Sequence, residues 1–415
     1  MPALHLLSLL TLAAAPPLTS EERVAVLLGL PGCVALWDFV AREPGATGRF
    51  IAHTPPGREA DYALDPHNYI RSHWGAGREA TQADFPLLGR GPFGQAIELR
   101  NETDADFRPL LAVPRSRLHN TPLDIKGPRR SVTVVVWTIR ESGNHALAGI
   151  WHEGTDLSYA GAVQRKERGQ RQYALFAGLQ FEGSACGHVS DNGAGSFAFR
   201  YALHKSHSRD LTPRVPAEAA PEVLDASWHT VAMTLDAERQ ELTGWIDGVA
   251  SERWFENPRA DSMWSNVVRA WEEGHRAGTP AADSTFPADQ HYLPPETAPS
   301  RVSVLEATVH RRVEEREYPY TRVRVELRWD GAQWKEESRE LVAVKVNPWW
   351  YPHGIYVPAD DGTGGPFTIG RVIHSGRSVG FTGWIGGVAV FDRALTAVEL
   401  ARLSQFNAPL AVPAR

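Results

Sequence analysis

The stretch WHTVAMTLDAERQELTGWIDGVA, residues 228–250, decides the fold of this 415-residue chain. Val231, Met233 and Leu235 alternate with smaller or more polar residues, and a repeat of two is the pattern of a strand with one buried face. The polar run DAERQE predicts a turn, and LTGWIDG predicts a second strand that ends at the turn dipeptide Asp247-Gly248. The stretch therefore predicts an antiparallel hairpin.

Similar short runs, separated by turn residues, occupy much of the chain. SVTVVVWTI (131–139) is continuously apolar, as expected of a central strand buried on both faces. GFTGWIGGVAVFDRALTAVELARL (380–403) predicts a strand followed by a helix that Thr396 caps. The 36 glycines, 30 prolines and 14 tryptophans also favour a turn-rich β protein. Further predicted strands are VALWDF (34–39), GPFGQAIEL (91–99), ALAGIW (146–151), YALFAGL (173–179) and FTIGR (367–371).

The order of these motifs resembles that of laminin-G-like, concanavalin A-like jelly rolls. The shared pattern is a W-H-x-V strand, a strand closing in D-G, and a glycine-rich strand that ends in VAVFDRALTAVEL. The resemblance implies an all-β, two-sheet antiparallel jelly-roll sandwich, discontinuous over 21–250 and 366–408. It is a resemblance of fold, from which no function follows.

Residues 251–365 form an insertion of about 115 residues, too long for an ordinary loop of a sandwich. In RVRVELRWDG (322–331), apolar and charged residues alternate, Asp330-Gly331 predicts a turn, and ELVAVKV (340–346) predicts a further strand. We therefore expect a β-rich insertion. Arg324, Glu326 and Arg328 match the R-x-E-L-R motif of alginate-type lyases, but an amphipathic strand explains them better.

NPWWYPHGIY (347–356) closes the insertion with Trp349, Trp350, Tyr351 and His353. Rigid aromatic faces stack well on sugar rings, so the stretch could be a ligand platform. It could equally be a buried plug between insertion and sandwich. The three consecutive aromatics cannot all point inward from one extended segment.

GHVSDNGAGSFAFRYALHKSHSRD (187–210) carries most of the other candidate site residues. Three interpretations stay open: a solvated turn and loop, a ligand contact, or a weak metal site at His204 and His207. A lyase acting on uronic acids would need a base and a cation, for which His188, His204 and Arg209 are the candidates. Candidates for ligand contact are Asp191, Asn192 and His207.

Two further pairs of polar residues are candidate site residues. His152 and Glu153 follow the strand ALAGIW and are either an acid/base pair beside a ligand groove or residues that cap a loop. Asp104 and Asp106 belong to an imperfect match to the glucanase motif E-x-D-x-E, since it ends in Asp. A solvated loop or a weak calcium site are the alternatives there, and no other cofactor is indicated.

Charge and targeting signals limit location and partners. With 43 basic and 49 acidic residues the net charge is −6, which gives no electrostatic signature of nucleic-acid binding. The apolar run 3–15 predicts a signal peptide over 1–20 and a secreted, periplasmic or cell-surface protein; the alternative is a short packed helix and a cytoplasmic one. No other run reaches the about 18–20 apolar residues of a membrane span. Cys33 and Cys186 form either one disulfide or two buried thiols.

The leading functional hypothesis is an exported, non-catalytic carbohydrate-binding protein that takes poly- or oligosaccharides. Polysaccharide lyase or glycoside hydrolase on the same fold is the second, and a protein-adhesion module is the third. A lyase should bring titratable groups to one point in a cleft, whereas an adhesion module should expose an apolar patch. The oligomeric state and the identity of the sugar are not indicated by the sequence.

Overall fold

The computed structural model of the protein describes residues 17–45, 48–143, 146–154, 170–178, 184–193, 203–205, 215–216, 218–260, 268, 271–272, 293–294, 296–374, 376–377 and 380–410. The described helices are α1 (Ser20–Leu28), α2 (Tyr69–Trp74), α3 (Arg115–Leu118), α4 (Pro221–Asp225) and α5 (Ala397–Ser404). The described strands are β1 (Cys33–Trp37), β2 (Asp65–Asn68), β3 (Ile97–Leu99), β4 (Pro109–Val113), β5 (Val132–Ser142), β6 (Ala146–His152), β7 (Gln170–Ala177), β8 (Ala185–Ser190), β9 (Leu203–Lys205), β10 (His229–Asp236), β11 (Glu241–Ile246), β12 (Arg253–Glu256), β13 (Arg301–Ala307), β14 (Arg311–Glu317), β15 (Thr321–Trp329), β16 (Trp334–Asn347), β17 (Trp349–Trp350), β18 (Phe367–Ile369) and β19 (Thr382–Phe391).

The first sheet contains the hairpin that the sequence predicts. Its order is β1-β19-β5-β10-β11-β17, and β3 pairs with β19. Val231 lies opposite Ile246 and Asp236 opposite Glu241, which confirms the hairpin. Asp247 adopts a φ of 51° and Gly248 one of 76°, the left-handed conformations of a tight hairpin turn. Strand β5 lies in the middle of the sheet and is buried along most of its length, as its unbroken apolar run predicts.

The second sheet packs face to face against the first. Its order is β2-β4-β18-β6-β7-β8-β9, with antiparallel pairing between neighbours. The inner faces of both sheets share one apolar core that includes Val134, Met233, Ile150 and Leu175. The predicted all-β antiparallel sandwich is thereby confirmed.

Helices cover the outer face of the first sheet. Leu400 and Leu403 of α5 join Leu27 of α1 in a second apolar cluster over that face. Thr396 caps α5 as predicted, in a capping box with Glu399. The short C-terminal helix is confirmed.

The insertion contributes a third sheet of five strands, ordered β12-β16-β15-β14-β13. The predicted alternation holds, because Val323 and Val325 are fully buried while Arg324 and Arg328 are exposed. The β-rich insertion is confirmed.

Both cysteines are free thiols, buried in different sheets. Of the two alternatives, the buried thiols are the one observed, and a disulfide is not formed. Burial raises the pKa of Cys33 to about 12. Among the described residues, no helix has the length and apolar character needed to cross a membrane.

Candidate functional site

Histidines and charged residues meet on the outer face of the second sheet, where β6 ends. Strand β6 ends at His152 and Glu153 follows it, while Arg171 lies near the start of the neighbouring strand β7. After β18 the chain doubles back, and His374 comes to lie near Glu153. His73 reaches the same place from α2. We call these five residues the histidine cluster.

The doubling back after β18 depends on two residues. Gly370 has a φ of 90°, and a Cβ there would lie 2.7 Å from Leu99 Cδ2, so a side chain is excluded on both counts. Arg371 is 1% exposed and donates hydrogen bonds to the carbonyl oxygens of Pro109 and Arg100. Burial lowers its pKa to about 10. The next residues can then run beside β6, where Glu153 N donates to Ile373 O at 3.0 Å.

Helix α2 is fixed over the outer face by its cap and its apolar side. Asn68 is buried, and its Oδ1 accepts hydrogen bonds from Ile70 N and from Arg108 N. Tyr69 and Ile70 pack in one apolar cluster with Leu110 of β4. The first turn of α2 is thus held by the Asn68 cap and by packing on β4. Because these contacts fix the helix, they also fix the position of His73 on its last turn.

The carboxylate of Glu153 lies between a histidine and an arginine. Its Oε2 is 3.4 Å from His374 Nε2 and 4.0 Å from Arg171 Nη2. Gly376 N donates to His374 Nδ1 at 2.8 Å, so the ring proton sits on Nε2 and faces Glu153. The Glu153 and His374 side chains are 16% and 25% exposed. Glu153 and His374 are thus both partly exposed, and a ligand can reach the cluster at their contact.

His73 and His152 form a buried pair whose tautomers follow from their partners. Their Nε2 atoms are 3.1 Å apart. His152 Nδ1 accepts from Gly154 N at 3.0 Å, and His73 Nδ1 lies 3.0 Å from the carbonyl oxygen of Tyr69, which can only accept. His152 Nε2 therefore donates to His73 Nε2, and His73 Nδ1 donates to the Tyr69 carbonyl oxygen and lies 2.8 Å from Ser72 Oγ. Protonating either ring at its accepting nitrogen would break a hydrogen bond.

An aromatic patch next to the histidine cluster includes one predicted site residue. Trp151, Phe176 and His188 pack together, with the His188 and Phe176 rings stacked at 4.1 Å. His188 is 1% exposed, and its Nε2 lies 3.1 Å from Cys186 Sγ. His188 is one of the three candidates for a lyase's catalytic groups, and in this structure its ring is enclosed by the aromatic packing.

Two other predicted residues meet at the end of β8. His353 Nδ1 is 3.5 Å from Asp191 Oδ2, and burial lowers the pKa of His353. Tyr356 N donates to Ser190 O at 2.8 Å. The structure thus brings the end of NPWWYPHGIY next to residues 190 and 191. Asn192 lies in the same turn.

The aromatic residues of NPWWYPHGIY mostly form the plug, which corrects the platform alternative. Trp349 is 3% and Tyr351 1% exposed, and both belong to the main core. Trp349 pairs with Leu242 in β11, which turns its side chain inward. Trp350 is half-buried, in keeping with the expectation that the three residues cannot all point inward. Trp350 and His353 are less buried than Trp349 and Tyr351.

The other predicted site residues lie elsewhere. His204 is on β9, opposite Val189, and its side chain is outside the described part of the structure. His207 and Arg209 also fall outside the described residues, so their roles stay predictions. Asp104 accepts a hydrogen bond from Asp106 N, and Asp106 pairs with Arg377.

A cation site is not visible in what the structure describes. Within these residues, no group of three or more His, Cys, Asp or Glu side chains is placed to hold a metal ion. The pairing of Asp106 with an arginine neutralises the charge that calcium would need. Calcium at Asp104 and Asp106 stays a prediction.

Sequence reasoning found His152 and Glu153 but missed His73, Arg171 and His374. No local motif marks these three residues, because each comes from a different segment and is placed by long-range contacts. The useful signal was the position of His152 and Glu153 at a strand end, where sites on sandwiches gather.

No protein family model matches the sequence, and no curated protein matches it. Solved structures match only distantly. NanB sialidase of Streptococcus pneumoniae is 13% identical over 78% of this chain and 29% of its own, with a TM-score of 0.31. The binding domain of botulinum neurotoxin serotype G is 8% identical over 90% of this chain and 50% of its own, with a TM-score of 0.34.

A third match is the CBM40 of the Ruminococcus gnavus IT-sialidase, bound to α2,3-sialyllactose. It is 11% identical over 67% of this chain and 84% of its own, with a TM-score of 0.29. The chain thus spans about half or less of the length of the first two proteins. At these scores the matches carry no argument about function.

Proposed function

We propose that this protein binds saccharides, with the histidine cluster at the centre of the site. The observation that carries the proposal is the half-buried Glu153 carboxylate, held between His374 and Arg171 on the outer face of the second sheet. The Glu153 carboxylate accepts hydrogen bonds, and the Arg171 and His374 N–H groups beside it donate them. Acceptor and donor groups therefore lie within a few ångströms of one another. A sugar hydroxyl both donates and accepts, so neighbouring hydroxyls of one ring suit such a set.

The surroundings of Glu153 support a preformed site. Helix α2, the segment around Ile373 and strand β7 hold the cluster, so little side-chain freedom is lost on binding. The Arg171 guanidinium carbon lies 5.8 Å from the ring centre of Trp151. This contact with the ring face limits the movement of the arginine side chain. The Asp191–His353 pair at the end of β8 supplies a second polar contact for an oligosaccharide.

The test is binding of a panel of neutral and uronate oligosaccharides to the full chain, followed by calorimetry on any that bind. Glu153→Gln keeps the side-chain shape and removes the charge. Since hydrogen bonds to charged groups are worth about 1.5–3 kcal/mol, we expect affinity to fall about 10- to 100-fold. Glu340→Gln is the matched control, because Glu340 also pairs with an arginine, Arg324, at 3.3 Å on the insertion sheet.

Two outcomes would overturn the proposal. The first is that no saccharide of the panel binds the folded protein. The second is that Glu153→Gln binds as tightly as the parent chain, since the ligand would then lie elsewhere.

Polysaccharide lyase is the second candidate, favoured by the contact between Glu153 and His374. Titratable groups that converge at one point are what β-elimination requires: a base for the proton beside the uronate carboxyl, and a cation to neutralise that carboxyl. Here Glu153 would take the proton and Arg171 would neutralise the carboxyl group. His374, whose ring proton sits on Nε2, would donate a proton to the glycosidic oxygen that leaves. Absorbance of the unsaturated product, read during the same binding assays, distinguishes the two functions. A steady rise that Glu153→Gln abolishes would indicate a lyase.

Two finer assignments belong with this proposal. We place the sandwich in the laminin-G-like, concanavalin A-like class, on the sequence motifs of residues 228–250 and 380–403. Export stays a prediction from the apolar run 3–15, which lies outside the described residues.

A further inference from the structure

Strand β13 exposes apolar side chains at the edge of the insertion sheet. Val302, Val304 and Leu305 are 45%, 48% and 54% exposed. Strand β14 lies on one side of β13, and no described strand lies on the other. An exposed apolar edge strand is a template for pairing with another strand, and soluble proteins usually protect such edges.

A bulge in β13 determines which side chains share a face. Val304 lies opposite Glu314 and Glu306 opposite Val313, so Leu305 is an extra residue without an opposite neighbour on β14. The extra residue changes the alternation. Arg301, Ser303 and Glu306 consequently share one face of the strand, and Val302 and Val304 share the other.

We propose that β13 pairs antiparallel with β13 of a second copy of this chain, about a two-fold axis at Ser303. In this register Val302 of one copy lies opposite Val304 of the other. If Leu305 stays an extra residue in the new pair, as it is in the pair with β14, Arg301 lies opposite Glu306. Each contact occurs twice, as a two-fold interface requires. The paired edges join two five-stranded sheets into one and give hydrogen-bond partners to the free backbone groups of β13.

Charge complementarity favours this register, and it favours a second copy as the partner. An axis at Arg301 or at Glu306 would place like charges opposite each other, which destabilises strand pairing. The Arg301 and Glu306 side chains are 64% and 53% exposed, so both can reach across the edge. Each also contacts a residue of its own chain, Glu317 at 3.6 Å and Arg311 at 2.6 Å, contacts that pairing does not require to break.

The experiment is sedimentation velocity on the full chain across a wide range of protein concentration. The parent chain should be a monomer–dimer system. Val304→Lys places a charge in the apolar face of the pairing and should abolish the dimer. Val309→Lys is the matched control, because Val309 is 80% exposed but lies beyond β13, in the turn to β14, and should leave the dimer intact.

Charge reversal tests the register itself. Arg301→Glu alone and Glu306→Arg alone should each weaken dimerisation about tenfold, because two like-charge pairs replace two opposite-charge pairs. The double variant should recover most of that loss, and circular dichroism checks that all variants are folded. A parent chain that is monomeric at every concentration overturns the proposal. A dimer that Val304→Lys leaves intact overturns it as well, since another surface would then form the dimer.

Discussion

Asp124→Asn is expected to destabilise the protein strongly, because Asp124 neutralises a buried arginine. Its two carboxylate oxygens accept from Arg115 Nη1 and Nη2 at 2.7 and 2.9 Å. Lys126 Nζ lies 2.8 Å from Asp124 Oδ2. The Arg115 and Asp124 side chains are 8% and 1% exposed. Gln172 of β7 also donates to Asp124, so this pair ties the loop after α3 to the strand that carries Arg171.

The magnitude follows from burial. Removing one partner of a buried ion pair typically costs about 3–5 kcal/mol, because the other charge stays in the interior without compensation. Asparagine keeps the size of the side chain but removes the carboxylate charge that faces Arg115 and Lys126. The exposed Arg324–Glu340 pair, with side chains 49% and 53% exposed, should lose less than about 1 kcal/mol on Glu340→Gln. Asp124→Asn should therefore lose several times more free energy of unfolding than Glu340→Gln.

The pH dependence of Asp124 has a definite sign. Burial alone would raise the pKa of Asp124, but the hydrogen bonds and charges of Arg115 and Lys126 outweigh it and hold the pKa below its usual value. A lowered folded-state pKa gives stability that is present above the unfolded value of about 3.9 and is lost as the pH falls further. The difference in free energy of unfolding between the parent chain and Asp124→Asn should accordingly become smaller in acid.

Denaturant unfolding at neutral pH and at about pH 3 measures both effects. Arg115→Met and the double variant complete the cycle, which isolates the pair from the rest of the network. A loss below about 1 kcal/mol for Asp124→Asn, equal to that of the exposed control, would refute the reasoning from burial.

Two more predictions concern the closing stretch of the insertion and the C-terminal helix. Trp349→Ala should lower the free energy of unfolding by about 3–5 kcal/mol, because it leaves a cavity in the main core. Trp350→Ala, at the half-buried neighbour, should lower it clearly less. Equal losses in denaturant unfolding would contradict the conclusion that the aromatic residues form a buried plug. Hydrogen bonding by Arg393 lowers the pKa of Glu399 to about 2. Glu399→Gln should therefore lose about 1 kcal/mol of unfolding free energy at neutral pH, a figure reduced because the side chain is partly exposed. This loss should shrink as the pH falls from about 4.3 toward 2. A gap that instead widens in acid would show that the Glu399 carboxylate is not stabilised in the fold.

Strand positions were predictable where burial repeats along the sequence. In residues 228–250 the period of two marks both strands of the hairpin, and the dipeptide at Asp247 marks where the second strand ends. These signals act over a few residues, so local pattern and final structure agree. SVTVVVWTI predicted a central strand for the same reason, since both of its faces are buried. Strand β13 was not predicted, because its alternation runs only from Arg301 to Val304 before the bulge at Leu305 breaks it.

The candidate site was predictable only in part, because its residues belong to distant segments. His152 and Glu153 were recognisable from their place at a strand end. The contact of His73 with His152 joins residues 79 apart, and it depends on how α2 packs over Leu110. The cap at Asn68, the turn at Gly370 and the packing of α2 each have local causes. The site forms only when all three are combined in the tertiary structure, which no single motif encodes.

NPWWYPHGIY shows how one short stretch joins both sheets. Trp349 pairs with Leu242 of the first sheet, and Tyr356 N donates to Ser190 O of the second. Between them, Tyr351 is buried near Asp191, and burial together with that charge raises the pKa of Tyr351 well above its usual value. The aromatics anchor the segment while His353 faces Asp191. Because anchor and polar contact lie a few residues apart on one chain, loosening Trp349 should also displace the Asp191–His353 pair.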